Sequence, residues 1–215
     1  NKADTFSFSV ISQPTMINVD GDKVLLCTKK DNKTLAQYLH QFKYAGTYVD
    51  RAEALAAALG NTTDSSAKAI RLLALKDPFY AIRQSALKQF QNGSPTPEIF
   101  AIAKDIAQKD PSRSVRAAAI DLLAKSEDES LRASLIQLTA DSSYSVAGAA
   151  LEALSGIDSV AALDIARKLM KQPSKGRLTG SICSALIGSK DAMAFDYIAG
   201  KYEKLPNQEK FSYTG

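Results

Sequence analysis

One phrase recurs along the chain at nearly constant spacing. Asp77-Pro78-Phe79-Tyr80-Ala81-Ile82-Arg83-Gln84-Ser85-Ala86-Leu87 is echoed by Asp110-Pro111-Ser112-Arg113-Ser114-Val115-Arg116-Ala117-Ala118-Ala119-Ile120. A third copy reads Asp141-Ser142-Ser143-Tyr144-Ser145-Val146-Ala147-Gly148-Ala149-Ala150-Leu151. The steps are 33 and 31 residues. Tyr48 to Leu55 continues the series backward at a step of 32, and Ser174 to Leu186 continues it forward, weakly, at 31. A period of this length belongs to stacked helix pairs, in which each unit buries its apolar face against its neighbours.

The punctuation between copies agrees with helix pairs. Thr34-Leu35-Ala36-Gln37 fits a capping box, and Ser126-Glu127-Asp128-Glu129 fits another. Thr96-Pro97 places a cap and then a proline at a helix start. Gly60, Gly93 and Gly156 stand where second helices should stop. These signals place first helices near 33–44, 64–76, 97–109, 128–140, 158–171 and 190–203. Second helices fall near 47–59, 79–91, 112–125, 143–155 and 175–188. Within the phrase, Ala86, Ala117 and Ala149 are small enough for close helix approach, and Ile82, Val115 and Val146 are expected to point into the stack. The Asp is expected to cap the second helix. Arg83 and Arg116 are placed to bridge to an Asp of an adjacent repeat, a link that Ala147 removes in the third copy. The pattern resembles HEAT repeats over about residues 45–188. The expected fold is therefore mainly α, an α-α superhelix of HEAT-like repeats. Abundant Ala and the absence of Trp suit closely packed helices.

The first thirty residues read differently. Thr5-Phe6-Ser7-Phe8-Ser9-Val10 alternates polar and apolar, the period of a half-buried strand. Met16–Val19 and Val24–Cys27 are short apolar runs, and Asp20-Gly21-Asp22 between them is turn chemistry. The expectation is a short N-terminal β-hairpin over 16–27 within a partial sheet. So small a sheet is not stable alone, which points to sheet sequence upstream. The first residue is Asn1, as in a chain processed or cut from a longer one. Asn18, Asp20 and Asp22 have the superficial spacing of a calcium loop. The glycine is misplaced, however, and Lys29 stands where the bidentate Glu belongs, so the plain turn is preferred.

The chemistry-bearing residues are sparse. His40 is the single histidine, with no nucleophile suggested nearby, and reads as a surface or packed polar residue. Cys27 and Cys183 lie in apolar contexts and read as buried free thiols. There is no His-Glu-x-x-His, no Gly-x-Ser-x-Gly and no phosphate-binding glycine loop. Asn61-Thr62-Thr63 and Asn92-Gly93-Ser94 match glycosylation sequons and read as helix-end turns. The net charge of +4 is spread along the chain, with no basic block longer than a pair, so nucleic-acid binding is not signalled. No apolar run approaches membrane-spanning length. No catalytic, cofactor-binding or metal-binding residue is assigned.

Residues 17–55 read INVDGDKVLLCTKKDNKTLAQYLHQFKYAGTYVDRAEAL. This stretch resembles the C-terminal portion of bacterial zinc aminopeptidases related to aminopeptidase N. The resemblance is one of phrasing; the zinc motif and its downstream Glu ligand are absent, and no catalytic residue carries over. It implies that residues 1–31 are the end of an incomplete β-sandwich and that 32–215 form the helical domain. It implies a non-catalytic domain that covers the active site of the parent enzyme and limits peptide access. Zinc would then belong to the parent's catalytic domain, and the partners would be the upstream catalytic and β domains and the peptide substrate. The compartment stays open, although such bacterial enzymes are often exported to the periplasm. The alternative is a free-standing HEAT-repeat scaffold for protein-protein interaction.

Overall fold

The computed structural model describes residues 5–25, 28–30, 32–61, 63–126, 128–187, 189 and 192–202. Cys27 and the last part of the expected hairpin lie outside the described residues, as does Glu127. From Leu35 helices follow one another along the described residues: α1 (Leu35–Tyr44), α2 (Tyr48–Ala57), α3 (Ser65–Ala74), α4 (Tyr80–Gln91), α5 (Pro97–Lys109) and α6 (Arg113–Leu123). Then come α7 (Arg132–Leu138), α8 (Tyr144–Ile157), α9 (Ser159–Leu169), α10 (Arg177–Leu186) and α11 (Ala192–Tyr202). Each expected helix is present within a few residues of its expected ends. The chain divides into two compact units, residues 1–86 and 87–215, with the division inside α4.

In the first unit, α1, α2 and α3 pack on one another. Their starts are specified locally. Thr34 accepts the Gln37 N–H while the Gln37 side chain returns to Thr34, completing the capping box. Thr47 accepts from Asp50 and starts α2; Asp64 accepts from Ala67 and starts α3. Phe42, Leu55, Ile70, Leu75 and Ile82 are buried. Gly60 ends this pair at φ +80, a left-handed conformation that glycine adopts without strain.

In the second unit, α5 packs on α6, α7 on α8, and α9 on α10. The second helices also stack directly, α6 on α8 and α8 on α10. Helix α8 thus has neighbours on several sides, and every residue from Val146 to Leu151 is buried. Such a pattern is what a repeat interior requires. Ile82, Val115 and Val146 are each at most 1% exposed, as the phrase predicts. Helix α10 begins at Arg177, 33 residues after Tyr144, so Ser174 takes the place that Asp141 holds one repeat earlier.

The structure corrects four expectations. No strand exists among the described residues; residues 5–19 form bends, irregular chain and the start of a turn. The turn at 19–22 is present, but among the described residues no strand flanks it. Alternation is a local signal, whereas a strand needs a hydrogen-bonding partner, and here Phe6, Phe8 and Val10 remain 76%, 84% and 62% exposed. Gly156 does not end α8, which runs on to Ile157; Asp158 closes α8 and its side chain then starts α9. The Asp of the phrase does not cap the second helix. Ser112 and Ser143 hold the cap positions of α6 and α8, and Asp110 and Asp141 accept their N–H groups, each at 2.8 Å, closing the turn ahead of the helix. Lastly, Ser126 closes a short 3-10 turn by donating to the Leu123 carbonyl, and Asp128 caps the next turn through Ser130.

Candidate interaction surfaces

The charged residues of the phrase link repeats. Arg116 of α6 donates one nitrogen to both carboxylate oxygens of Asp141, at 3.1 and 3.0 Å. A second nitrogen donates to the Asp110 carbonyl at 3.1 Å. Arg51, which aligns with Arg83 and Arg116, makes the corresponding link in the first unit with two nitrogens: Nε donates to Asp77 at 2.6 Å and Nη2 at 3.3 Å. The same carboxylate accepts the Phe79 N–H at 2.8 Å. Asp77 and Asp141 therefore each tie their own turn to the preceding repeat.

Position 50 breaks the repeat in an informative way. It aligns with Ile82, Val115 and Val146, yet it carries a carboxylate that is 1% exposed. Asp50 is satisfied by Lys23 Nζ at 2.6 Å, Asn18 Nδ2 at 3.1 Å and the Thr47 hydroxyl at 2.6 Å. Burial on its own raises the Asp50 pKa; hydrogen bonds from Lys23, Thr47 and Asn18, with the Lys23 charge, bring it below the ordinary value of 3.8. Around it, Gln41 donates to the Asp50 carbonyl at 2.9 Å and to Glu53 at 3.1 Å, and Lys29 pairs with Glu53 at 3.0 Å. The segment before α1 is thus fastened to α2 by charge.

A second hub lies on the row of second helices. Arg177 of α10 donates to Asp121 of α6 at 3.0 Å and to Glu152 of α8. Ser181, one turn on, donates to the same Glu152 at 2.7 Å. Burial lowers the Arg177 pKa, but the bonds to Asp121 and Glu152 outweigh it and hold the guanidinium charged. Gly148 makes this crossing possible. A Cβ there would lie 2.9 Å from backbone and side-chain atoms of Arg177 and from the Leu178 nitrogen. In the first unit, Tyr48, Phe79 and Tyr80 form an exposed aromatic corner, with ring centroids 4.7 and 5.0 Å apart.

His40 is half-buried on α1 with its ring 4.5 Å from that of Tyr44. Cys183 is a buried free thiol in α10. Asn18 turns inward to Asp50, while the Asp20 carboxylate accepts the N–H groups of Val24 and Leu25 at 2.9 and 3.1 Å. Among the described residues no group of three His, Cys, Asp or Glu side chains is arranged to hold a metal ion. No helix among them is long and apolar enough to cross a membrane.

This geometry agrees with comparison to known families. Residues 101–187 match the family of HEAT repeats. The match covers α6 to α10 and most of α5, including Asp121, Glu152 and Arg177. No curated protein and no solved structure matches the chain. The fold is a HEAT-like array of helix pairs. Sequence reading did not single out Asp50 or Arg177. Asp50 was detectable as a charge at a repeat position that is otherwise aliphatic. Arg177 carried no comparable signal, because its partners are 56 and 25 residues away.

Proposed function

We propose that this chain is a non-catalytic HEAT-type scaffold whose row of second helices, α6, α8 and α10, presents a polar face to another polypeptide. The observation that carries the reading is the HEAT match over residues 101–187, the stretch in which those helices stack. Stacked repeats offer extended surfaces for protein partners. Along this row Arg177, Asp121 and Glu152 are held by one another and from below by the buried Ser181, so a partner meets groups already ordered and loses less entropy on binding. Charges so placed orient a partner and set its approach rate.

Site-specific photo-crosslinking tests this. Ser145 and Ser184 each lie three residues from Gly148 and Ser181 respectively, on the same helix faces. Crosslinkers at these two positions are expected to trap one polypeptide in source cells, while one at the exposed Lys104 of α5 does not. Equal labelling from all three, or none, refutes the reading.

A second reading has a specific observation in its favour. The chain before α1 carries exposed, alternating apolar residues and is anchored to α2 through Asn18 and Lys23. That is how the edge of a further domain would join a helical one. On this reading the helices are the accessory C-terminal domain of a zinc aminopeptidase and limit peptide access to its active site. The reading requires His-Glu-x-x-His upstream in the same gene. An immunoblot of source cells with a single band near 23.1 kDa removes it.

A further inference from the structure

We propose that residues 13–25 form a releasable strap across the first helix pair, fastened by the Lys23–Asp50 ion pair and able to detach while α1, α2 and α3 stay folded. The inference depends on neither functional reading.

The argument starts from the repeat. At position 50 the other copies place Ile82, Val115 and Val146, which neighbouring apolar groups cover. The first helix pair places a carboxylate there instead. A buried carboxylate without partners is strongly disfavoured, so whatever covers Asp50 must supply donors. Its own helix turn supplies one, the Thr47 hydroxyl. The strap supplies the other two, Lys23 Nζ at 2.6 Å and Asn18 Nδ2 at 3.1 Å.

The strap contributes little apolar burial in return. Ile17, Val19, Val24 and Leu25 are 67%, 55%, 79% and 65% exposed. Residues Gln13, Pro14, Ile17 and Val19 line an open cleft of about 320 Å³ with Asn32, Lys33 and Gln37, so this part of the strap is not closely packed on α1. The attachment is thus electrostatic. Besides Lys23, the charged groups around Asp50 are Glu53, 3.8 Å from Lys23, and Lys29, which pairs with Glu53.

The turn that delivers Lys23 is strained. Asp20 and Lys23 lie at φ +52 and +56, a left-handed region that costs non-glycine residues energy. The Asp20 carboxylate holds the turn by accepting from Val24 and Leu25, and Lys23 N–H donates to the Asp20 carbonyl at 3.0 Å. Without the ion pair, only these local hydrogen bonds and the Asn18–Asp50 bond are left to offset that strain. The strap and the helices below it therefore have different sources of stability. The helices rest on buried Phe42, Leu55 and Ile70, and the strap rests on one clasp.

Hydrogen-exchange mass spectrometry on the whole chain tests this, read at the amides of Lys23, Val24 and Leu25. Lys23→Met should raise their exchange at least tenfold, with Lys23→Arg restoring most of the protection. Because Lys23→Met leaves Asp50 buried without its cation, a second variant combines it with Asp50→Val, the residue type of the other repeats. This double variant should show the same fast exchange in the strap, with α1, α2 and α3 protected as in the parent. Unchanged strap protection in the double variant overturns the proposal. So does loss of protection in α1–α3 together with the strap in both variants.

Discussion

Arg116 and Asp141 join consecutive repeats through a single guanidinium nitrogen that reaches both carboxylate oxygens. Both side chains are mostly buried, at 18% and 19% exposure, which separates this pair from an ordinary surface ion pair. Asp141 also accepts the Ser143 N–H, so one carboxylate serves the turn and the inter-repeat link together. Arg116→Ala should lower stability by roughly 1.5–3 kcal/mol, the range for hydrogen bonds to charged groups. Asp141→Ala should cost at least as much, since it removes the turn bond too. In urea denaturation the double variant should fall short of the sum of the two singles by about 1 kcal/mol. Strict additivity would show that the link contributes nothing.

Gly148→Ala tests how closely α8 and α10 approach. The added methyl would stand 2.9 Å from the backbone of Arg177 and Leu178, which cannot yield as a flexible side chain can. Overpacking of this kind costs roughly 1–3 kcal/mol. The melting temperature should fall by several degrees, against the usual gain when glycine becomes alanine inside a helix. A rise in melting temperature would mean the two helices have room to separate.

Asp50 predicts an acid response of definite sign. Its pKa is depressed in the folded chain, so its contribution is complete above the ordinary value of 3.8 and is lost as pH falls through the lower folded value. Urea midpoints measured between pH 5 and pH 2 should show the advantage of the parent chain over Lys23→Met shrinking toward the acid end. A constant difference across that range would separate the stability of the clasp from ionisation of Asp50.

Cys183 should resist thiol reagents. It is 1% exposed, and burial raises its pKa, an effect that the charge of Lys201 only partly opposes. Few molecules then carry the reactive thiolate. In a Cys27→Ser background, labelling by a disulfide reagent near pH 8 should be slow and should accelerate in step with unfolding by urea. Rapid labelling of the folded chain would show that α10 opens locally.

Much of the helical array was legible in advance for a physical reason. Caps, proline starts and the phrase beginning at Asp77, Asp110 and Asp141 act within a few residues, and helix hydrogen bonds do too. The Arg116 link to Asp141 was foreseeable because the repeat itself sets the separation. The N-terminal strands failed for the converse reason. Thr5 to Val10 has the right alternation, but pairing depends on a partner that no local pattern can supply.

The order of helices, the residues that face the stack and the position of the Asp turns were thus determined by the sequence alone, since each rests on contacts between near neighbours or on the repeat period. What tertiary structure decided were the two hubs. Asp50 became a buried anchor because Lys23 and Asn18 fold back across 27 and 32 residues to meet it. Arg177 became a junction because α6, α8 and α10 stack closely enough, over Gly148, to bring Asp121 and Glu152 within its reach. Both outcomes depend on distances through space that a residue's neighbours along the chain do not encode.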